Sequence, residues 1–390
     1  MGSIYSDLRL FILRILNISV WCNGNTAVSK TVIQGSNPCT GANSHNKYSM
    51  LKLKDTEIYL TNVCNLGCNN CNRFNNFAFK GHHRWQDDAP ALEKWSKVCE
   101  IDKITLIGGE PFTNPDLLFY VRGVRKLWPK AKIVIASNGT YMSKVKEMIE
   151  DLRISNINLR LSFHNKTLAA KTLADLDAIL EAPVSTAYIF RDYHLVSWKK
   201  TYEKIKGYGW PDCPTPYDFS SLPQDIQDEC HIDFDLSYDS WLDCVASRYI
   251  VDAKGLNIEI NWYDNFHDSA IKFDRDSNKI SLHDSDPIKA VEICDSKSCH
   301  TITDGKLHKC SVAAILPKFV NQFKIDVSNE DLEIINSYEP ASPDWPQDKL
   351  SDFINELEKF SHIPQCKFCP QHYDSKPLND VTIKPKIDKR

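Results

Sequence analysis

The apolar positions of residues 57–190 switch period repeatedly. Short apolar or alternating runs at Ile58–Val63, Ile104–Ile107, Ile133–Ala136, Ile157–Phe163 and Val184–Phe190 predict strands. Between them, Ala91–Cys99, Pro115–Leu127, Met142–Leu152 and Thr167–Leu180 carry helical spacing. Such alternation predicts a parallel sheet with helical crossovers, an α/β fold. From 192 to 290 the pattern is irregular. Trp210-Pro211-Asp212-Cys213-Pro214 reads as loop, acidic and aromatic text follows, and Leu256–Trp262 is the candidate sixth strand. This stretch is expected to help form a substrate pocket. Further on, Cys299–Cys310 predicts two short strands about an Asp304-Gly305 turn.

Charge and composition narrow the function classes. The chain of 390 residues has a net charge of −4, and its one basic run, Lys384–Arg390, lies at the end as a solvated tail. Nothing here supports a nucleic-acid partner. The apolar stretch Leu8–Val20 is too short to span a bilayer. Asp7 and the missing small-residue cleavage site oppose a signal peptide, so no membrane partner is expected. Fourteen cysteines in this length are too dilute for a disulfide-stapled secreted scaffold and fit a cytoplasmic protein with metal chemistry.

Residues 1–49 have no periodic continuation. Trp21–Thr26 can be encoded by TGGTGTAATGGTAACACA and Gly35–Pro38 by GGTTCGAATCCC, strings like the D-arm and T-arm of a transfer RNA gene. The expectation is a translated upstream leader over 1–49, a native start at Met50, a catalytic core over 50–270, a cysteine-rich extension over 290–375 and a tail over 376–390.

The chemistry begins at Val63-Cys64-Asn65-Leu66-Gly67-Cys68-Asn69-Asn70-Cys71. Three thiolates so close in sequence can hold three irons of a cubane cluster and leave the fourth open, whereas ferredoxin-type clusters are closed by four. One strand–helix–strand unit later comes Gly108-Gly109-Glu110-Pro111. Glycines permit close approach or positive φ, Glu110 offers an anion for an ammonium group, and Pro111 stiffens the turn. Together these motifs resemble the radical S-adenosylmethionine (radical SAM) superfamily.

The resemblance implies a partial (β/α)6 TIM-like barrel with a small C-terminal cysteine-rich extension, and chemistry at the C-terminal ends of the strands. It implies a [4Fe–4S] cluster on Cys64, Cys68 and Cys71, and S-adenosylmethionine held at Gly108, Gly109, Glu110 and Pro111. Ser137 and Asn138, in Ile133–Thr140, resemble the family's third-strand segment near the ribose or methionine carboxylate, with an ordinary turn as the other reading. Ser162, at the end of Leu159–His164, is a further cofactor contact. His164 is the one catalytic candidate, weighed against a structural histidine. The family often places an aromatic residue before the third cysteine to cover the adenine; here Asn70 stands there, and either Phe74 takes over that packing or backbone contacts suffice.

Five cysteines gather late: Cys294, Cys299, Cys310, Cys366 and Cys369. The G-x4-C of Gly305 and Cys310, followed by the C-x2-C of Cys366 and Cys369, resembles the twitch/SPASM extension and its auxiliary [4Fe–4S] cluster. The first ligand is Cys294 or Cys299, the spacing favouring Cys294. Four thiolates also suit zinc. Cys99, Cys213, Cys230 and Cys244 lack ligand spacing and read as small buried hydrophobes. The family further implies an electron donor such as flavodoxin or ferredoxin and a peptide or small-molecule substrate. The alternatives are a deazapurine-type radical SAM synthase and a non-catalytic zinc-binding interaction module.

Overall fold

In a computed structural model, the described residues are 50–68, 71–163, 166–180, 247–253, 256–262, 265–266, 271–274, 279–294, 296, 298–372 and 376–377. The proposed leader, the expected strand Val184–Phe190, Asn70, His164, Cys213, Cys230 and Cys244, and the basic tail lie outside them.

The elements in chain order begin with β1 (Leu51–Tyr59), α1 (Trp85–Val98), β2 (Cys99–Ile107), α2 (Leu117–Leu127), β3 (Lys132–Ser137), α3 (Met142–Ile154), β4 (Ile157–Phe163) and α4 (Lys166–Leu180). After the undescribed stretch come β5 (Ser247–Ala253), β6 (Leu256–Trp262), β7 (Asn265–Phe266), β8 (Ile271–Asp274), β9 (Lys279–Leu282) and α5 (Pro287–Glu292). The last are β10 (His300–Thr303), β11 (Lys306–His308), α6 (Ser311–Phe323), α7 (Asn329–Asn336), α8 (Gln347–Glu358) and β12 (Lys376–Pro377).

The main sheet has eight strands in the order β11-β10-β1-β2-β3-β4-β6-β5. The run from β10 to β6 is parallel throughout, and the two edge strands β11 and β5 are antiparallel to their neighbours. This is the α/β fold expected from the sequence, a mostly parallel sheet with helical crossovers that matches a partial TIM-like barrel.

Three expectations shift. The first strand runs over Leu51–Tyr59 rather than Ile58–Val63. Its charged alternation (Lys52, Lys54, Asp55, Glu57) hides a strand pairing with β2 from Leu51 to Tyr59, and residues 60–64 are spent on the loop that carries the first cysteine. The place beside β4 is filled by β6, in register from Leu159↔Ile258 to Phe163↔Trp262. The third shift concerns the Asp304-Gly305 hairpin. It forms as expected, with both turn residues at positive φ (50° and 72°), the signature of a two-residue turn that matches strand twist. Yet it belongs to the core sheet, because β10 pairs parallel with β1, Thr56↔His300 to Ile58↔Ile302.

Alternation sorts the two faces of the sheet. Ile58, Ile104, Leu106, Ile133, Ile135, Leu159, Leu161, Ile258, Ile260 and Ile302 pack under the crossover helices with Leu92, Trp95, Val121, Val124 and Leu176. Their in-between neighbours Glu57, Thr105, Arg160, Ser162, Glu259, Asn261 and Thr301 face the other way. A second apolar cluster joins Tyr59 and the loop residues Phe74, Phe77 and Phe79 to α6 through Phe319 and Val320. Phe319 is fully buried, 4.9 Å from the Phe74 ring and 5.0 Å from that of Phe77.

Candidate active site

The loop after β1 and the loop after β2 are zipped by backbone bonds. Gly109 N–H donates to Thr61 O (2.7 Å) and Glu110 N–H to Val63 O (2.8 Å), while Thr113 Oγ1 adds a third bond to Val63 O (3.2 Å). This approach is why Gly108 and Gly109 are glycines. A Cβ on Gly108 would stand 2.5 Å from Thr61 O. One on Gly109 would stand 2.3 Å from Val63 O and 2.9 Å from Cys64 Cβ. Neither has positive φ, so the need is for space rather than for a left-handed backbone. On the other side, Asn75 Nδ2 donates to Asn62 O (2.7 Å) and to the Tyr59 hydroxyl (3.2 Å).

Cys64 is buried and Cys68 and Cys71 are half-buried on this loop. Burial pushes the Cys68 thiol up, and the neighbouring Cys71 and Cys64 thiolates push it further. The repulsion that Cys68 meets puts the other two sulfurs near it, and a bound cation would relieve it. Two N–H groups point at Cys64 Sγ, from Leu66 N (3.4 Å) and Asn138 Nδ2 (3.7 Å).

Glu110 departs from its expected role. Its side chain is fully buried and turned toward β3, not toward open space. Oε1 accepts from Ser137 Oγ (2.8 Å) and from Phe112 N (3.1 Å), and Oε2 accepts from Asn138 N (2.8 Å). Burial pushes its carboxyl up to about 7 despite these three bonds and the nearby Lys144 cation. The carboxylate therefore fixes the end of β3 against the loop after β2, and Pro111 opens the short 3-10 turn at 111–113. Asn138 thereby comes beside the triad loop, its Nδ2 lying 3.7 Å from Cys64 Sγ, and Ser137 stays buried behind it. Ser162 sits two residues beyond Arg160 on β4, in register with Asn261.

Asn65, Thr140 and Lys144 are not among the expected site residues. Asn138 Nδ2 donates to Asn65 Oδ1 (2.9 Å), and Asn65 Nδ2 to Thr140 Oγ1 (2.8 Å). Lys144 donates to Phe112 O (2.7 Å) and lies 5.7 Å from the Tyr141 ring centroid. Only the third-strand spelling Ser137-Asn138-Gly139-Thr140 could have hinted at them. Phe74 corrects another expectation: it is fully buried against Phe319, so it is a packing residue and does not cover a ligand.

The late cysteines divide. Cys294, Cys310, Cys366 and Cys369 come together: burial and then the other three thiolates raise the Cys369 thiol, and burial pushes Cys310 up to about 12, with Cys294 and Cys366 adding to it. Cys310 occupies the N-cap position of α6. Cys366 and Cys369 lie around the 3-10 turn Pro364–Phe368, with Ile363 N–H donating to Cys366 Sγ (3.5 Å). Cys299 is elsewhere, its thiol 3.9 Å from Asp55 Oδ1 and near Glu57 and Lys103. The structure thus groups Cys294, and not Cys299, with the other three. Among the described residues no three Cys, His, Asp or Glu side chains sit closely enough to hold a single metal ion. Cys99 is fully buried in the core. No helix of the described residues is long and apolar enough to cross a membrane.

Residues 58–216, about two fifths of the chain, match the model of the Radical SAM superfamily domain. Such a domain implies a [4Fe–4S] cluster and S-adenosylmethionine. Among curated relatives, a probable GTP 3′,8-cyclase of Methanocaldococcus jannaschii is 24% identical over 31% of this chain and 40% of its own length. The GTP 3′,8-cyclase of Listeria monocytogenes serotype 4b is 28% identical over 30% of this chain and 35% of its own. The chain therefore spans two fifths or less of these relatives. The solved structure of Streptococcus suis SuiB bound to S-adenosylmethionine aligns at 16% identity over 69% of this chain and 62% of that one, with a TM-score of 0.33.

Proposed function

We propose that this protein is a radical SAM enzyme in which Cys64, Cys68 and Cys71 hold three irons of a [4Fe–4S] cluster, with S-adenosylmethionine on the open iron. The observation that carries the reading is the closure of the Gly108–Thr113 loop and the end of β3 over the cysteine loop. When bound, the cluster and S-adenosylmethionine supply a 5′-deoxyadenosyl radical that takes a hydrogen from the substrate.

The protein's own part is placement and exclusion of water. Leu66 N–H and the Asn138 amide stabilise the Cys64 thiolate, since donors aimed at a charge are worth most where water is scarce. Glu110 holds Asn138 in place through its backbone N–H. Gly108, Gly109 and Pro111 present backbone, and Ser137 and Ser162 hydroxyls, to S-adenosylmethionine. The face of the sheet away from the helices carries the Arg160–Glu259 ion pair (2.8 Å) with Ser162 and Asn261 above it. A wall of hydrogen-bonding groups suits a peptide or a small polar metabolite, a class that includes nucleotides such as the relatives' named substrate.

Cys294, Cys310, Cys366 and Cys369 are proposed to hold an auxiliary [4Fe–4S] cluster. Four thiolates also suit a structural zinc ion, and the iron count separates the two. The core over 50–270, the extension over 290–375, a flavodoxin- or ferredoxin-type electron donor and a cytoplasmic location belong to the same proposal.

The test is anaerobic reconstitution, iron and sulfide counting, then S-adenosylmethionine with dithionite and assay for 5′-deoxyadenosine. Product with about eight irons per chain supports both clusters, and product with about four keeps the enzyme and removes the second. Well-loaded protein that cleaves no S-adenosylmethionine, unaltered by alanine at Cys64, Cys68 and Cys71, ends the proposal.

A further inference from the structure

We propose that Arg73, locked to Glu57 in a buried ion pair beside Cys71, sets the reduction potential of the metal group on the cysteine triad by holding a permanent positive charge against it. This rests on the radical SAM reading above.

Arg73 follows Cys71 by two residues, and the chain between them turns back on itself. Phe74 N–H donates to Cys71 O (3.0 Å), and Phe74 takes a left-handed φ of 59°. That turn sends the guanidinium inward, leaving the side chain 17% exposed and its partner Glu57 11%. Nη2 lies 2.5 Å from Glu57 Oε1, Nη1 donates to Asn72 Oδ1 (3.2 Å), and the buried Nε–H has no partner. Glu57 Oε2 accepts from Thr301 Oγ1 of β10 at 3.4 Å.

The pair ties two elements together. Arg73 reaches back from the turn that follows Cys71, and Glu57 holds it from β1, the other carboxylate oxygen being taken by Thr301 of β10. Burial disfavours the Arg73 charge, and Glu57 above all, with Cys71 adding to it, favours it. The next carboxylate along β1, Asp55, is matched by Lys103 (2.5 Å), so it does not compete for the guanidinium.

Arginine keeps its charge at any working pH, and a buried charge is screened little by salt. One-electron reduction takes an electron from the external reductant and adds one negative charge to the metal group. A fixed cation nearby favours the reduced form, and a fixed anion the oxidised one. A purely structural ion pair would answer alike to loss of either partner. An electrostatic one answers with opposite signs.

Full-length reconstituted protein is titrated with dithionite while following the electron paramagnetic resonance signal that Cys64→Ala protein lacks. Arg73→Gln leaves Glu57 alone and is expected to make the potential more negative. Glu57→Gln leaves Arg73 alone and is expected to raise it. Each shift should change the reduced-to-oxidised ratio at fixed potential by tenfold or more, which is about 59 mV for one electron. Arg73→Lys and the double Gln variant should stay within a few-fold of the parent, and either one keeps the test usable where a single Gln variant fails to load. Shifts of the same sign, no shifts, or a double variant as displaced as Arg73→Gln would overturn the inference. Absence of any signal that depends on Cys64 would instead sink the functional reading on which it rests.

Discussion

The two thiol groups are built in opposite ways. The triad comes from one short loop, and its surroundings are supplied from elsewhere: Asn138 and Ser137 from the end of β3, Gly109 from the loop after β2. The late set draws its sulfurs from three separate segments, at Cys294, Cys310 and Cys366–Cys369. Both have a basic side chain close by, Arg73 beside Cys71 and the buried Lys309 beside Cys310 and Cys366. What differs is the edge of the site. The triad is ringed by side-chain hydrogen bonds among Asn65, Asn138 and Thr140, polar groups able to meet a ligand. The late set is closed by packing and backbone. The first arrangement suits chemistry on an incoming molecule, the second suits a group that stays put.

The largest effect expected from breaking this contrast is Cys68→Ala, which should abolish 5′-deoxyadenosine formation while leaving the iron of the late set in place. Cys310→Ala should do the reverse to the iron count. If either substitution emptied both sets, the two regions would not be separate sites. Phe319→Ala comes next, because that ring joins α6 to the loop behind the triad. A loss of about 3–5 kcal/mol in denaturant unfolding is expected, with faster amide exchange over residues 74–79. Gly109→Ala should cost about 1–3 kcal/mol, since the new methyl group meets backbone rather than a movable side chain; triad iron loading should fall and late-set loading hold.

The smallest effect is a pH dependence. Burial holds the Glu110 carboxyl at about 7, above its ordinary value of 4.5. The fold thus favours the protonated form. Its contribution to stability is complete below about 4.5 and is lost as pH rises through about 7. Melting temperature plotted against pH should show a decline in that window that disappears in Glu110→Gln, although Gln lowers stability at acid pH by losing the Asn138 bond. An identical slope in both proteins would assign the decline to another group.

What was legible in the sequence was local. The cysteine triad, the glycine pair and the Asp304-Gly305 turn are short strings whose spelling fixes their geometry. β4 announced itself by strict alternation, and β6 by a bounded run. Facts that depend on two distant segments meeting were not legible. Glu110 reads as an anion for a ligand until the end of β3 is placed against it, and Phe74 as a ligand cover until α6 arrives. Cys299 and Cys294 differ in sequence only by spacing. In space they part because Cys299 immediately precedes β10 and is drawn to Asp55, while Cys294 follows α5, which packs against the 3-10 turn of Cys366. Arg73 had no signal at all, since a basic residue after a cysteine is unremarkable until Glu57 closes on it.

The pairing of β10 with β1 has a consequence for how the protein is made. Glu57 and Thr301 touch across this seam although 244 positions separate them. During synthesis at about 5–20 residues per second, β1 waits on the order of ten to fifty seconds for that neighbour to leave the ribosome. Until then one side of β1 has unmatched backbone donors and acceptors, the kind of edge that invites pairing with another chain. The charges that hid β1 from the sequence reading, Lys52, Lys54, Asp55 and Glu57, are the residue types that discourage such pairing in the nascent polypeptide.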